Sequence, residues 1–331
     1  MSVFVSILGD GGWGTAIACL LHRNGHRVTL WSAFPDYARE LARRRENVKF
    51  LPGVPIPPEV HITADVEQAL AGARFAICAV PTQFMRAVLK RFREHYPRRV
   101  PIISVAKGIE NGTLMRGTQI LRDELGAVPV GALSGPSHAE EVGRGKPTIV
   151  VAASRRPDVA LQTQRLFGSP AFRVYTNPDL VGVELGGALK NVIAIAAGIC
   201  DGLGFGDNTK SALLTRGLAE IARLGRAMGA RQTTFAGLAG MGDLITTAFS
   251  PHGRNRWVGE QIGRGLSLEE ILKMTEKVAE GIWTTKSAVA LAWKFRVEMP
   301  ITQELHRVLF RRKDPRRAVV DLMSRTPKAE L

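Results

Sequence analysis

The sequence predicts an α/β domain built on a parallel sheet, followed by an all-helical domain. Three observations carry this. Over the first half, short apolar runs with a β-branched bias alternate with helical patterns, as in a parallel sheet covered on both faces. From Val181 onward the pattern is helical, punctuated by Gly and Thr, with no convincing strand. The length, 331 residues, exceeds the ~250–300 at which one hydrophobic core usually splits. The boundary is expected near residue 185, which gives domains 1–184 and 185–331.

The elements follow in order. Val3–Leu8 reads as a buried strand and leads directly into Gly9-Asp10-Gly11-Gly12-Trp13-Gly14. A helical pattern follows (Ala16, Ile17, Leu20, Leu21) and stops at Asn24-Gly25, a good C-terminal signal. Arg27–Trp31 is the second strand, so the unit has the length of a βαβ crossover. Strands are expected at Phe75–Val80 and Pro101–Ala106, with helices at Tyr37–Arg45 and Met85–His95. Apolar runs at Val130–Leu133 and Thr148–Ala152 continue the alternation. In the second half the expected helices are Leu185–Ile199, Lys210–Met228, Leu268–Met274, Thr284–Phe295 and Thr302–Phe310.

Composition narrows the classes. The chain is 45% apolar and 23% charged, which excludes a disordered polymer. Its 45 Lys+Arg against 30 Asp+Glu leave a net charge of +15, a feature shared by proteins that bind nucleic acid, anionic membranes or phosphorylated molecules. The cations cluster at Arg39–Arg45, Arg86–Arg99 and Arg311–Arg317 without any DNA-reading motif, so solvated faces are the better reading and no nucleic acid partner is expected. Cys19, Cys78 and Cys200 lie far apart in apolar runs, without zinc spacing, and read as buried thiols of a reducing compartment. No metal is expected. No stretch reads as a membrane span, and the N-terminus shows no secretion signal, so a cytoplasmic location is the default.

The chemistry starts at the glycine loop. Gly9, Gly11 and Gly14 match G-x-G-x-x-G after a strand and before a helix. One glycine serves the tight turn, one the close approach of a pyrophosphate and one the packing of helix on strand. The helix N-terminus then offers N–H groups to phosphates. This reads as dinucleotide binding. Asp10 is anomalous there, because a carboxylate repels a pyrophosphate unless it points away. Trp31-Ser32-Ala33-Phe34-Pro35-Asp36 places at the end of the second strand neither the acid expected for NAD(H) nor the Arg expected for NADP(H).

Two lysines stand out. Lys107 follows the strand Pro101–Ala106, at the rim where parallel sheets bind ligands. Lys190 is the only charge between Glu184 and Asp201, in a helix apolar on every face and therefore buried. Burial disfavours its ammonium form, so it is a candidate general base or acid near neutral pH, more so if Lys107 lies close. A snorkelling structural lysine is the alternative. Ser137 and Glu140 have capping-box spacing after another strand. His138 reads as a capping or surface histidine, not a base. Asp243 could hold Lys190 or a substrate hydroxyl, or simply cap a helix.

Taken in order, these segments resemble a family. They are Gly9–Gly14 with Trp13, Val105–Glu110, Ser134–Glu141, Phe172–Pro178, Leu185–Asn191, Gly202–Asn208, Thr215–Gly225, Gly240–Leu244, Arg254-Asn255 and Glu280-Gly281. Together they closely resemble the bacterial NAD(P)-dependent sn-glycerol-3-phosphate dehydrogenases, from Val3 to about Met323. The resemblance implies a Rossmann-type domain, a helical domain and an active site between them. It implies a homodimer that interconverts glycerol 3-phosphate and dihydroxyacetone phosphate with NAD(H) or NADP(H), supplying glycerophospholipid synthesis. By this resemblance Lys190 is the general base, and Lys107, Gly135, Ser137, Asp243, Arg254 and Asn255 are substrate contacts. The implied cofactor contacts are Gly9, Gly11, Gly12, Trp13, Gly14, Lys107, Ala139, Arg254, Val278 and Glu280. The chain departs from the family at Asp10 and Gly12, where Ala and Ser are usual, at Gly253, often Ser, and at Ala33, commonly basic. Another Rossmann-plus-helical dehydrogenase of a hydroxy acid or polyol is the runner-up, and a basic nucleotide-sensing protein that binds nucleic acid is a distant third.

Overall fold

The computed structural model describes residues 2–327 and 329. Its main sheet contains β1 (Phe4–Leu8), β2 (Arg27–Trp31), β5 (His61–Thr63), β6 (Phe75–Cys78), β7 (Ile102–Ser104), β8 (Val130–Ser134), β9 (Thr148–Ala153) and β10 (Phe172–Asn177). A separate hairpin pairs β3 (Glu46–Asn47) with β4 (Leu51–Pro55). The strand order is β5-β2-β1-β6-β7-β8-β9-β10. From β1 the chain builds outward to β2 and β5, then crosses back to β6, β7 and β8 on the other side. Those six strands are parallel, in the order of a doubly wound dinucleotide-binding sheet, and the order reverses between β1 and β6. Ligands bind at such a switch point, beyond the carboxyl ends of the strands.

The sheet is not wholly parallel, as the apolar runs alone suggested. β9 pairs antiparallel with β8, and β10 pairs parallel with β9. The segment between β8 and β9 holds only the one-turn helix Ala139–Gly143, whereas a parallel return needs a full crossover. Apolar clusters fill both faces of the sheet, one around Ile7, Ile17 and Leu30, the other around Leu8, Trp31 and Phe92.

The second half is helical, organised on one long helix, Leu180–Gly202. It begins five residues earlier than its apolar pattern suggested, because Asp179 caps it by accepting from the Gly182 N–H at 2.9 Å. This helix is also long and apolar enough to cross a membrane, which corrects the expectation that no stretch is: its best 18-residue window has mean hydropathy 1.6. It lies inside the protein, with 83% of that window buried. Against it packs the helix Arg254–Gly263 at very short range. A Cβ on Gly198 would lie 1.9 Å from the Arg256 carbonyl oxygen, and one on Gly259 would lie 1.9 Å from that of Ile195. Gly202 and Gly263 meet in the same way one turn further on. Four glycines thus bring two helix backbones together and fix Arg254 and Asn255 relative to Lys190.

The halves are joined by buried polar contacts. Glu184 accepts from Arg116, from the Thr118 N–H and from the Thr118 hydroxyl. Ser287 donates to Asn111 Oδ1 at 2.7 Å. Several cations of the basic clusters are ion-paired: Arg39 with Asp36, Arg44 with Glu40, Arg86 with Glu110, Asp123 and Glu124, and Arg317 with Asp321.

Candidate active site

A cleft runs between the halves along the carboxyl ends of β1, β6, β7 and β8. Its floor is the glycine loop. Gly9 has φ +113°, and a Cβ there would lie 3.0 Å from the Ala79 backbone, so the turn requires glycine. A Cβ on Gly14 would sit 1.9 Å from the Gly9 carbonyl oxygen, which is the close packing of helix on strand. A Cβ on Gly11 would meet nothing within 4 Å, so that position faces open space. The helix Gly12–Arg23 starts there, and its first N–H groups have no intrahelical acceptor. The open space at Gly11 and the free N–H groups fit a pyrophosphate, and the residues present fit a dinucleotide. Gly12 and Trp13 line it, and Phe50 of the β3–β4 hairpin covers it. Asp10 does not point at the cradle. It turns toward Ser32 at the end of β2.

Opposite the cradle lies a buried ionic cluster. Asp243, 1% exposed, receives Lys190 Nζ on Oδ1 at 2.5 Å and Lys107 Nζ on Oδ2 at 2.8 Å. One carboxylate therefore bridges two ammonium groups. Asp243 is the first residue of the helix Asp243–Phe249, behind Gly242 as the N-cap, so its side chain does not cap. Thr247, one turn along, accepts from Lys190 Nζ and donates to the Asp243 carbonyl. Lys107 Nζ also donates to the Gly135 carbonyl at 2.8 Å and to Ser137 Oγ at 3.4 Å. Burial pulls the Lys190 pKa down to about 7, and Lys107 pushes the same way against the pull of Asp243. The two lysines hold the Asp243 carboxyl below its ordinary range despite its burial.

The expected capping box at Ser137 is absent. The short helix starts at Ala139 with His138 as its N-cap, one residue later than the spacing implied. Ser137 is thereby free to donate to the Gly135 carbonyl at 2.8 Å and to accept from Lys107. His138 is more than a capping residue. Its Nε2 is buried without a partner, its ring lies 6.0 Å from that of His252, and burial and the two lysines lower its pKa.

Ala139, Arg254, Asn255, Val278 and Glu280 all line the cleft with Ser137 and both lysines. The Arg254 side chain makes no hydrogen bond or ion pair among the described residues and lines the cleft, so its charge is available there. Asn255 Oδ1 accepts from the Gly281 N–H at 3.0 Å. Glu280 accepts from the Thr82 N–H at 2.8 Å and the Lys107 N–H at 3.2 Å, strapping the helical half to the loops after β6 and β7. Asn191 donates to the Lys107 carbonyl at 2.8 Å. Gly135, Gly9, Gly14 and Asp243 stand behind the lining and shape it. The sequence reading missed Thr247, Asn191 and Phe50. Only Asn191 carried a signal, as the neighbour of Lys190 on a buried helix.

A Rossmann-type half, a glycine cradle and an amine–carboxylate cluster facing it define a nicotinamide-dinucleotide-dependent dehydrogenase. Comparison with known proteins narrows the class. The N-terminal model of the NAD-dependent glycerol-3-phosphate dehydrogenases matches residues 4–160 and their C-terminal model matches residues 179–320. The chain belongs to that family. A glycerol-3-phosphate dehydrogenase of Pelotomaculum thermopropionicum, named for NAD(P)+, is 52% identical over 334 aligned residues, covering 100% of this chain and 96% of its own. One from Prosthecochloris aestuarii is 48% identical, covering 99% of this chain and 100% of its own. The crystal structure of glycerol-3-phosphate dehydrogenase from Coxiella burnetii superposes with a TM-score of 0.94 at 37% identity, over 98% of this chain and 99% of that one.

Proposed function

We propose that this cleft interconverts sn-glycerol 3-phosphate and dihydroxyacetone phosphate. The observation that carries the reading is the Lys190–Asp243–Lys107 bridge, buried opposite a dinucleotide cradle. A nicotinamide dinucleotide held at the glycine loop would supply the hydride in reduction and take it in oxidation. The chain handles the proton and the substrate's charge. In oxidation the neutral Lys190 amine takes the C2 hydroxyl proton, and in reduction its ammonium form returns one to the C2 oxygen. A pKa near 7 keeps both forms populated at neutral pH. The Lys107 ammonium, fixed by Asp243, Gly135 and Ser137, stabilises negative charge on the substrate. Arg254, Asn255 and the first N–H groups of the helix Arg254–Gly263 hold the phosphate. Gly9, Gly11, Gly12, Trp13, Gly14, Ala139, Val278 and Glu280 shape the dinucleotide side of the cleft.

The product serves glycerophospholipid synthesis, and the enzyme works as a cytoplasmic homodimer. Three buried thiols, free among the described residues, agree with a reducing compartment. A steady-state assay with dihydroxyacetone phosphate tests the function. Oxidation of NADH or NADPH that depends on this substrate is the expected result, and no oxidation of either overturns the reading.

A further inference from the structure

Dinucleotide-binding sheets distinguish NADH from NADPH at the end of their second strand. A carboxylate there favours the ribose 2′-hydroxyl, and a cation there binds a 2′-phosphate. Here β2 ends at Trp31, and Ser32, Ala33 and Phe34 carry no charge. The structure brings a charge from the neighbouring strand. The Gly9 N–H donates to the Trp31 carbonyl at 3.0 Å, which carries Asp10 to the end of β2. The Asp10 carboxyl lies against the Ser32 hydroxyl, and its Oδ2 is buried without a hydrogen-bond partner.

The loop is held in place. Asn47 Nδ2 donates to the Asp10 carbonyl at 2.7 Å and to Thr15 Oγ1 at 2.7 Å, while Asn47 Oδ1 accepts from Tyr37 at 2.7 Å. The cations nearby are already engaged. Lys49 pairs with Glu276 and lies 5.2 Å over the Phe50 ring. Arg91 lies 4.7 Å over the Trp31 ring and donates to the Ala33 carbonyl at 3.2 Å. Asp10 itself forms no ion pair among the described residues. Burial raises the Asp10 pKa, while the Ser32 hydroxyl and the more distant charge of Lys49 favour the carboxylate, in a poorly solvated place where electrostatic effects are large.

We propose that Asp10 sets the cofactor preference. Its carboxylate stands in for the acidic residue missing from the end of β2, admits a neutral ribose hydroxyl and opposes a 2′-phosphate, so that the enzyme selects NADH. This rests on the cleft being the dinucleotide site. Titration of the substrate-free protein with NADH and with NADPH, followed by calorimetry, tests it in the wild type, Asp10→Asn and Asp10→Ala. The first variant keeps the shape without the charge, and the second restores a residue usual in the family. The wild type binds NADH at least tenfold more tightly than NADPH. Both variants shrink that ratio at least tenfold, mainly by binding NADPH more tightly. A wild type that prefers NADPH, or variant ratios within twofold of the wild type, overturns the assignment. A ratio that moves only because NADH binds more weakly also overturns it. Failure of the wild type to bind either dinucleotide is a different result, and it removes the cleft reading together with this one.

Discussion

The Asp243 bridge makes a prediction that separates the two directions of the reaction. Asp243→Asn keeps the shape of the side chain and removes its charge. At present one carboxylate faces Lys190 at 2.5 Å and Lys107 at 2.8 Å, all but excluded from water. A unit charge pair at 4 Å is worth about 4 kcal/mol at an effective dielectric constant of 20. At 1.36 kcal/mol per pH unit, that is about three pH units in the proton affinity of Lys190. Lys107 shares the carboxylate and water enters the variant, so a fall of about one to two pH units from the present value near 7 is expected. Lys190 is then almost wholly neutral at pH 7.5. Reduction of dihydroxyacetone phosphate, which needs the ammonium, drops by about 8- to 80-fold there. In glycerol phosphate oxidation, which needs the amine, the acid limb of kcat/KM moves to lower pH. The assay is kcat/KM against pH in both directions, followed through the reduced cofactor's absorbance. Breaking a buried pair costs about 3–5 kcal/mol of stability, so circular dichroism must first show that the variant is folded. A folded variant whose acid limb lies within half a pH unit of the wild type refutes the bridge as the control on Lys190.

Three further outcomes follow from the geometry. Gly198→Ala drives a methyl group into the Arg256 carbonyl, so chemical denaturation should show a loss of about 3 kcal/mol, with a raised KM for dihydroxyacetone phosphate because Arg254 and Asn255 ride on the displaced helix. Arg254→Ala removes an unpaired cation from the cleft and should raise KM for the phosphorylated substrate by about 30-fold or more, while an unphosphorylated ketone analogue is little affected. Glu220 is buried and its pKa is raised to about 7, chiefly by desolvation, although it accepts from the Ile301 and Thr302 N–H groups. The folded chain thus holds this proton up to about 7, whereas the unfolded chain releases it near the ordinary 4.5. The associated stability is complete below that ordinary value and is lost as pH rises through about 7. Melting temperatures should show this decline in the wild type and a flatter profile in Glu220→Gln.

Much of this was readable in the residues, for identifiable reasons. The strands of the dinucleotide-binding sheet are short β-branched runs beside turn residues, and each expected strand appears within a few residues of its place. β5, three residues long, and the Pro-containing hairpin β3–β4 were not read, because neither has a period to detect. β10 lay inside Phe172–Pro178, a segment that carried the family resemblance but was not read as a strand. The glycines of the helical half looked like punctuation. Gly198, Gly202, Gly259 and Gly263 are contact residues, and only the fold shows that they face one another. Burial of Lys190 followed from a helix apolar on every side. Its partners did not, since Asp243 and Thr247 lie 53 and 57 residues away and reach it only when the helices pack. The direction of Asp10 depends on the register of β1 against β2 and was likewise hidden.

The central claim is that the Lys190 amine moves the proton. Lys190→Met keeps the length of the side chain, removes the proton carrier and is at home in a buried helix. The decisive measurement is kcat for dihydroxyacetone phosphate reduction in this variant, made alongside the Kd for the reduced cofactor. The account predicts a fall in kcat of about 10²-fold or more with a nearly unchanged Kd. A kcat within tenfold of the wild type would contradict it.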